Sequence, residues 1–566
     1  MKIITSQPQL NNLQAKQNIS KQQPAFKGLI NNGFKFLADE PVWGATIIDV
    51  GAMVLPRTWT DMKKRGINAG FETGFRESES SANNAFIGMY GVGASALIAG
   101  GINKAYDIKA NKIFASDDAI QVFTSKWNQH KGNISSYVED IVDNIEAYNP
   151  NSKICNEKGM VKIPQEHKKG IIEDLKFVAE GDRKSMPERF KQVADKLSVK
   201  MISALGVEEG VELLHNEAGV KKSTISNTKT LIENFSSLTK ALKSDKVAGK
   251  TGELLKDYKK FAKGRTILGM GIAALLAVGA QPLNIYLTKK RTGSDGFVGV
   301  EGRSKDTSAS FKTKKLLSTL GMIAITLGTL GAIPKNPKNL KQIPKLFMEK
   351  NQYKGKNPTI NQFKTIFGFA ISSRLLTARD KDEHREVVTK DVLGYFNWLI
   401  LGNIFNKAIL HKFQNKDLKL LKRKPLPNDA SMFKRVKNFL GAEIATHTEV
   451  IQKGLKKELG ISSLIKADGT AMKFKEMYNK LPKNGATKKS LRILNIAQFG
   501  GYIYSGVVLG WGIPNLNIHI TNMKEKKKKA MLEKANLQQQ IQPTLDKSHV
   551  DKMINKTAFG QFHHAS

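Results

Sequence analysis

Two ionisable residues stand inside apolar sequence. Asp49 lies within VWGATIIDVGAMVLP, and Arg374 lies within FKTIFGFAISSRLLTA. Charges in such surroundings are costly to bury and often mark an ion pair or a polar pathway through a membrane. The simpler interpretation, which the sequence favours, is that both residues lie near the ends of amphipathic helices and meet water.

A basic element occurs twice with the same spacing. Its shared pattern is a proline, a Lys-Lys-Arg triplet and a Gly-Phe pair, and the copies are Pro56, Lys63-Lys64-Arg65, Gly70-Phe71 and Pro282, Lys289-Lys290-Arg291, Gly296-Phe297. Apolar sequence flanks both copies, which predicts a duplicated helix–basic loop–helix unit. The six cations are candidates for binding anionic lipid headgroups. The simpler alternative is a helix-ending proline followed by interfacial anchors.

Uncharged polar residues near these prolines could complete a polar pathway. Gln281 and Asn284 flank Pro282, and Asn517 follows Pro514 in a fainter third copy of the pattern. Broken helices with such groups form the central sites of many transporters. With Asp49 and Arg374, these three residues make up the possible membrane polar site.

Other motifs argue against catalysis. Residues 379–386 (RDKDEHRE) alternate in sign, which predicts a solvated helix face with intrahelical ion pairs and not a metal site. The Gly-x-Gly patterns at Gly91 and Gly269 lie inside apolar runs and indicate helix packing. Neither a zinc-type histidine spacing nor a recognisable Ser-His-Asp set occurs. We therefore predict a protein that is not an enzyme and has no metal or cofactor.

Apolar stretches would position these groups. Four reach the roughly 20 residues that a membrane span requires, namely 85–102, 266–288, 316–334 and 493–523, and 392–406 is marginal. The sequence predicts an all-α, multi-pass helical membrane protein with 4 to 6 spans and a soluble helical-bundle insertion. The alternative is that these stretches are buried helices of a large soluble protein. Basic loops flank 316–334 on both sides, so this stretch is re-entrant, does not cross the membrane at all, or crosses it with one basic loop on the outer side.

The predicted organisation follows changes in composition along the chain. Its regions are a disordered polar tail (1–28), a first membrane unit (29–102), a helical soluble domain (103–265), a second membrane unit (266–334), amphipathic or membrane-associated helices (335–410), a basic helical region (411–490), a last membrane helix (491–523) and a basic disordered tail (524–566).

The charge balance indicates the class of partner. The formal net charge is +40, which favours polyanions, and a single cysteine excludes an intramolecular disulfide. The first hypothesis is a scaffold or membrane-organising protein of the plasma or inner membrane. It would bind anionic lipid headgroups and, through its basic helical domains, protein partners. The second is a transporter or channel built on internal repeats. The third, a peripheral nucleic-acid-binding protein, is the weakest, because aromatic and basic residues are not interleaved.

Overall fold

The computed structural model describes residues 49–149, 160–181, 187–205, 210–217, 220–298, 304–334, 336–397, 401–413, 431–461 and 474–561, with isolated residues between and before these ranges. Side chains are described up to residue 538. About 81% of the structure is helical, with almost no strand. The predicted all-α fold class is confirmed.

The elements of the first half are α1 (Leu55–Arg65), α2 (Ile67–Ile98), α3 (Gly100–Tyr106), α4 (Asp117–Gln129), α5 (Ile134–Ala147), α6 (Gln165–Glu180), α7 (Pro187–Leu205), β1 (Gly210–Glu217), β2 (Val220–Asn227), α8 (Thr228–Leu242) and α9 (Thr251–Thr292). Those of the second half are α10 (Ala309–Leu330), α11 (Ile343–Asn351), α12 (Ile360–Thr377), α13 (Lys381–Val387), α14 (Leu393–Phe396), α15 (Gly402–Phe413), β3 (Leu421–Lys422), α16 (Met432–Leu440), β4 (Glu443–Ile444), α17 (His447–Leu459), α18 (Phe474–Lys480), α19 (Ala486–Ser505) and α20 (Ile513–Gln561). Wide π-helical turns precede α1, α14 and α20.

Helices α1, α2, α9, α10 and α12 pack side by side as a bundle. The Asn284 amide donates to the Glu72 carbonyl and the Asn83 amide donates to the Ala273 carbonyl, each over 2.9 Å, so α9 runs antiparallel to α2. Lys315 Nζ donates to the Ala378 carbonyl over 3.1 Å and Lys364 Nζ donates to the Thr329 carbonyl over 3.3 Å, so α10 runs antiparallel to α12. The bundle therefore has one end marked by Arg65, Arg291 and Lys315, which we call the basic end.

The glycines of the Gly-x-Gly patterns make room for an aromatic ring. A Cβ at Gly91 would lie 2.4 Å from the Tyr353 ring, and one at Gly269 would lie 2.7 Å from its hydroxyl oxygen. The Tyr353 hydroxyl donates to the Ile87 carbonyl over 3.0 Å. The predicted packing role is confirmed, although the glycines admit a side chain and not only a neighbouring helix.

The first helical domain joins the bundle at its opposite end, the domain end. Its core lies among α4, α5, α6, α7 and α8. Arg265 of α9 ties this domain to the bundle, because its guanidinium donates to the carbonyls of Ile113 (2.9 Å) and Tyr353 (3.2 Å). The sequence analysis did not predict the β1–β2 hairpin, which pairs Gly210 with Asn227.

The second helical domain packs around α15, α17 and α19, with Leu410, Ile451 and Leu494 in its core. From α19 the helix continues through a π-helical turn into α20 and reaches the basic end, where the Lys524 amine lies 3.2 Å from Asp382. The start of α19, around which the second helical domain packs, therefore points away from the basic end. Both helical domains thus lie at the domain end. The predicted disorder of 524–566 is wrong up to residue 561, because α20 continues to Gln561. The polar tail at 1–28 lies outside the described residues.

Among the described residues, two helices are long and apolar enough to cross a membrane, α9 and the continuous helix Ala486–Gln538. They become three if α2 and α3, bent by 57° at Ala99, count as one span. This is fewer than the predicted 4 to 6. The stretch 316–334 falls short because α10 ends at Leu330, where Gly331 adopts φ 64. Since α10 is one continuous helix and not a hairpin, the basic sequences before and after it lie at opposite ends of the bundle.

Candidate functional site

A network of buried ion pairs occupies the interior of the bundle towards the basic end. Glu77 of α2 lies at its centre. The Glu77 carboxylate contacts Lys390 Nζ at 3.0 Å, Arg57 Nη1 at 3.1 Å, Arg76 Nη2 at 3.4 Å and Arg374 Nη1 at 3.9 Å. Four cations around one buried carboxylate need further anions to balance them.

Asp391 provides the second anion of this group. Its carboxylate lies 3.1 Å from Arg374 and 3.9 Å from Arg57. Arg57 Nε also donates to the Leu509 carbonyl over 3.0 Å, in the turn between α19 and α20. One cluster of charges thus joins α1, α2, α12, the turn after α13 and the last long helix.

A second layer lies nearer the basic end. Arg379 stands between two carboxylates, with Nε 2.9 Å from Glu383 and Nη1 3.2 Å from Glu72. The Arg379 backbone amide also donates to Glu383 over 2.6 Å. This arginine therefore joins the start of α13 to α2 through charge-assisted hydrogen bonds, the stronger kind.

The third layer is built on Arg65, which donates to Glu386 over 2.9 Å and lies 3.4 Å from Asp61. The Thr521 hydroxyl donates to Glu386 over 2.6 Å. Burial by itself would raise the pKa of the Glu386 carboxyl, but the hydrogen bonds from Arg65 and Thr521 outweigh it and hold that pKa below its ordinary value. Glu386 is therefore ionised at neutral pH.

The two copies of the basic element interlock at this end. The Arg65 guanidinium lies over the Phe297 ring at 5.3 Å, and the Arg291 guanidinium lies over the Phe71 ring at 5.3 Å. Each copy thus supplies the arginine for the phenylalanine of the other, an arrangement of cation–π contacts. Arg379 also lies over Phe297, at 5.7 Å.

The copies differ in local structure. In the first, a single residue, Gly66 at φ 91, separates α1 from α2, and the Gly70-Phe71 pair lies inside α2. In the second, Pro282 lies within α9, and Phe297 follows the end of that helix in a loop. The predicted helix–loop–helix unit thus recurs in sequence spacing and in contacts, and not in the shape of the loop.

The network nearly balances its charges inside a chain that is strongly basic overall. Among the described residues, its ion pairs join eight cations and seven carboxylates, the former being Arg57, Arg65, Arg76, Arg374, Arg379, Arg385, Lys390 and Lys524 and the latter Asp61, Glu72, Glu77, Asp382, Glu383, Glu386 and Asp391. A cavity of about 30 Å³ lies among them beneath Phe297. Such a volume holds about two water molecules and no larger solute.

Four residues of the possible membrane polar site are buried and Asp49 is partly buried, but they do not form one cluster. Arg374 belongs to the network, and the Ser81 hydroxyl donates to Asp49. Asn284 donates to the Glu72 carbonyl, and Asn517 donates to the Glu386 carbonyl over 3.4 Å. Gln281 is buried in α9, three residues before Asn284. The two asparagines thus hold the backbone of network carboxylates.

The candidate headgroup ligands divide into two groups. Lys63, Lys64, Lys289 and Lys290 are exposed at the basic end, and so is Arg291. Arg65 points inward to Glu386 and Asp61, so it does not share the position of the lysines beside it.

Sequence reasoning missed most of the network. The prediction that 379–386 forms a solvated face is wrong, since Arg379 is 1% exposed and Glu383 2% exposed. A signal existed in the four-residue spacing of Glu72 with Arg76 and of Arg379 with Glu383 beside apolar runs. That spacing is equally typical of surface helices, so it did not distinguish a buried network of ion pairs from a solvated helix face.

Comparison with protein-family models, with curated proteins and with solved structures gives no match. The function is therefore argued from the geometry of the site. Leaving a buried charge unpaired is costly, so a network of this kind holds the helices that it joins rigidly together. Its ion pairs have to break if these helices move apart.

Proposed function

We propose that this protein is an integral membrane protein whose bundle crosses the bilayer and holds two helical domains on one side. The observation that carries the proposal is an inverted distribution of polarity. Leu275 on the outside of α9 is 76% exposed, whereas Gln281 and Asn284 of the same helix are 2% exposed. The stretch 266–288 extends about 34 Å at 1.5 Å per residue, close to the roughly 30 Å of a hydrocarbon core.

Other helices of the bundle have the same polarity. Large apolar side chains are exposed on the outer faces of α2, α10 and α19, including Met89, Leu97, Leu317, Ile496 and Phe499. Serine, threonine and asparagine side chains are buried on the inner face of α2. In water this arrangement would be costly on both faces, because apolar surface is hydrated and polar groups lose water. In a bilayer the apolar outer face contacts lipid chains and is not hydrated.

Carbonate extraction and cysteine labelling test the proposal. In a Cys155→Ser background, we expect Asp245→Cys and Lys483→Cys, one in each helical domain, to react with an impermeant maleimide from the same side of sealed vesicles. Ser294→Cys, in the loop at the basic end, should react only from the other side. Release by carbonate, or labelling of all three from one side, would contradict the proposal. Release together with retention on a nucleic-acid column would favour the peripheral alternative.

Within this arrangement we propose a non-enzymatic role as a scaffold of the plasma or inner membrane. The network of buried ion pairs would keep the bundle rigid, while Lys63, Lys64, Lys289 and Lys290 contact anionic headgroups. Each such cation contributes about 1 kcal/mol near an anionic surface. The helical domains at the other end are then free to bind protein partners.

Lipid binding can be measured against a charge-matched control. Changing Lys63, Lys64, Lys289 and Lys290 to glutamine should lower the anionic lipid that co-purifies with the detergent-solubilised protein. Changing four exposed lysines of the first helical domain to glutamine, namely Lys162, Lys169, Lys246 and Lys250, removes the same number of cations far from the basic end and should leave that lipid unchanged. Equal losses in both would show that net charge, and not this end of the bundle, retains the lipid.

A second candidate function is transport. The observation in its favour is the cavity beneath Phe297, which is lined by charged residues that belong to the layers of ion pairs. Such layers act as gates where the two sides of a pathway open alternately. Solute flux into reconstituted vesicles tests this alternative, with Asp49→Ala and Asn284→Ala as comparisons. Flux that these changes reduce would favour transport over the scaffold role.

A further inference from the structure

Helix α16 (Met432–Leu440) has an apolar face of which, within the described chain, only Phe439 packs against the core of the second helical domain, and Met432, Phe433, Val436 and Leu440 are left exposed. None of its residues is buried. Met432 is 81% exposed and Phe433 78% exposed, and Val436 and Leu440 are also exposed. Leaving four large apolar side chains together in water is unfavourable, and such a patch normally marks an interaction site.

The helix is amphipathic in a specific way. At 100° per residue its apolar side chains fall within an arc of about 120°. Its charged residues are Lys434, Arg435 and Lys437, and it contains no acid. A short basic helix with bulky apolar residues on one face is typical of segments that lie in the boundary between headgroups and acyl chains.

The position of α16 matches that boundary. Lys407 Nζ of α15 donates to the Leu440 carbonyl over 2.6 Å, and the His411 ring lies 6.1 Å from the Phe439 ring. Helix α15 packs along α19, where a Cβ at Gly500 would meet Ile409. The end of α16 is thus held within a few turns of Arg492, where the uncharged part of α19 begins.

We propose that α16 lies flat in the bilayer interface at the domain end, with Met432, Phe433, Val436 and Leu440 inserted and its cations among anionic headgroups. This inference rests on the proposed bilayer location of the bundle. It adds a second, independent membrane contact that fixes the second helical domain against the surface. An amphipathic helix of this type enters the interface by about 5–10 Å.

Spin labels on single cysteines in a Cys155→Ser background test the proposal in vesicles of phosphatidylcholine and phosphatidylglycerol. Collision rates with oxygen and with a water-soluble nickel chelate report depth. We expect the oxygen-to-nickel ratio at Phe433→Cys to exceed that at Lys434→Cys, on the opposite face, by at least about threefold for an insertion of this depth. Omitting phosphatidylglycerol should reduce the difference.

A third label separates failure of this inference from failure of the proposed function. Ile496→Cys lies on the outer face of α19. If the Ile496→Cys label is in lipid and the Phe433→Cys label is in water, only the α16 proposal is overturned. If both are in water, the bilayer location itself is wrong. Dipolar broadening between Phe433→Cys labels would instead show a second copy on this face and would also overturn the proposal.

Discussion

Replacing Glu77 with glutamine tests whether the network holds the bundle together. The substitution keeps the size of the side chain and removes the one carboxylate that four cations share. Only Asp391 would remain among them. Removing one partner of a buried ion pair costs about 3–5 kcal/mol, and no discount for exposure applies because the Glu77 side chain is 7% exposed.

The assay is thermal unfolding of the purified full-length protein in detergent, followed by intrinsic tryptophan fluorescence. We expect the unfolding temperature of Glu77→Gln to fall by about 3–4 °C, because an unfolding entropy of about 2.1 cal/mol/K per residue makes the shift about 1 °C per kcal/mol for a chain of this length. Glu349→Gln is the control, because Glu349 is an exposed glutamate of α11 and is not part of the network. Adding Lys390→Met should recover part of the loss, since one of the unbalanced cations is removed. Equal unfolding temperatures for Glu77→Gln and Glu349→Gln, or additive losses in the double variant, would refute the reasoning.

Three further predictions follow from other parts of the structure. The pKa of Glu386 is held below its ordinary 4.5, so the ionised carboxylate should make the unchanged protein more stable than Glu386→Gln at pH 7. This difference in stability should disappear as the pH falls below 4.5, which thermal unfolding at a series of pH values would measure. Gly91→Ala should lose about 1–3 kcal/mol of unfolding free energy through overlap with the Tyr353 ring, whereas Gly93→Ala, with nothing within 4 Å of its Cβ, should not, as compared by urea denaturation. Asn234→Leu should lower the free energy of unfolding by about 2 kcal/mol or more, because the Phe114 amide and carbonyl lose their partner. Limited proteolysis would measure this, and the first helical domain should be cut faster in Asn234→Leu than in the control Asn128→Leu.

The helical elements could be predicted because their signal is local. Uncharged stretches such as 266–288 and the three- and four-residue spacing of apolar residues in the first helical domain are visible in short windows. Helix ends are harder to predict. Residues 524–561 lack an apolar face and were expected to be disordered, yet lysine, glutamate, leucine and glutamine are good helix formers.

The network could not be predicted in the same way. Arg379 and Glu72 are 307 residues apart in sequence, and Arg65 and Glu386 are 321 apart. The sequence around each of these residues does not indicate which residue it pairs with. The cluster at 379–386 has the same spacing that a solvated helix uses, and only the packing of α13 against α2 and α20 makes it buried.

The separation of these partners along the chain has a consequence for biogenesis. Arg57 binds the Leu509 carbonyl, 452 residues later, and at about 5–20 residues per second a ribosome needs roughly 20–90 s to synthesise that interval. During this time α1 and α2 carry their charges without the late partners, and in the proposed bilayer location those charges would be costly. The Arg57–Glu77 pair, only 20 residues apart, neutralises part of that charge as soon as α2 emerges. The order of synthesis thus forms an ion pair at the centre of the network early, and the later helices assemble around a site that is already partly neutral.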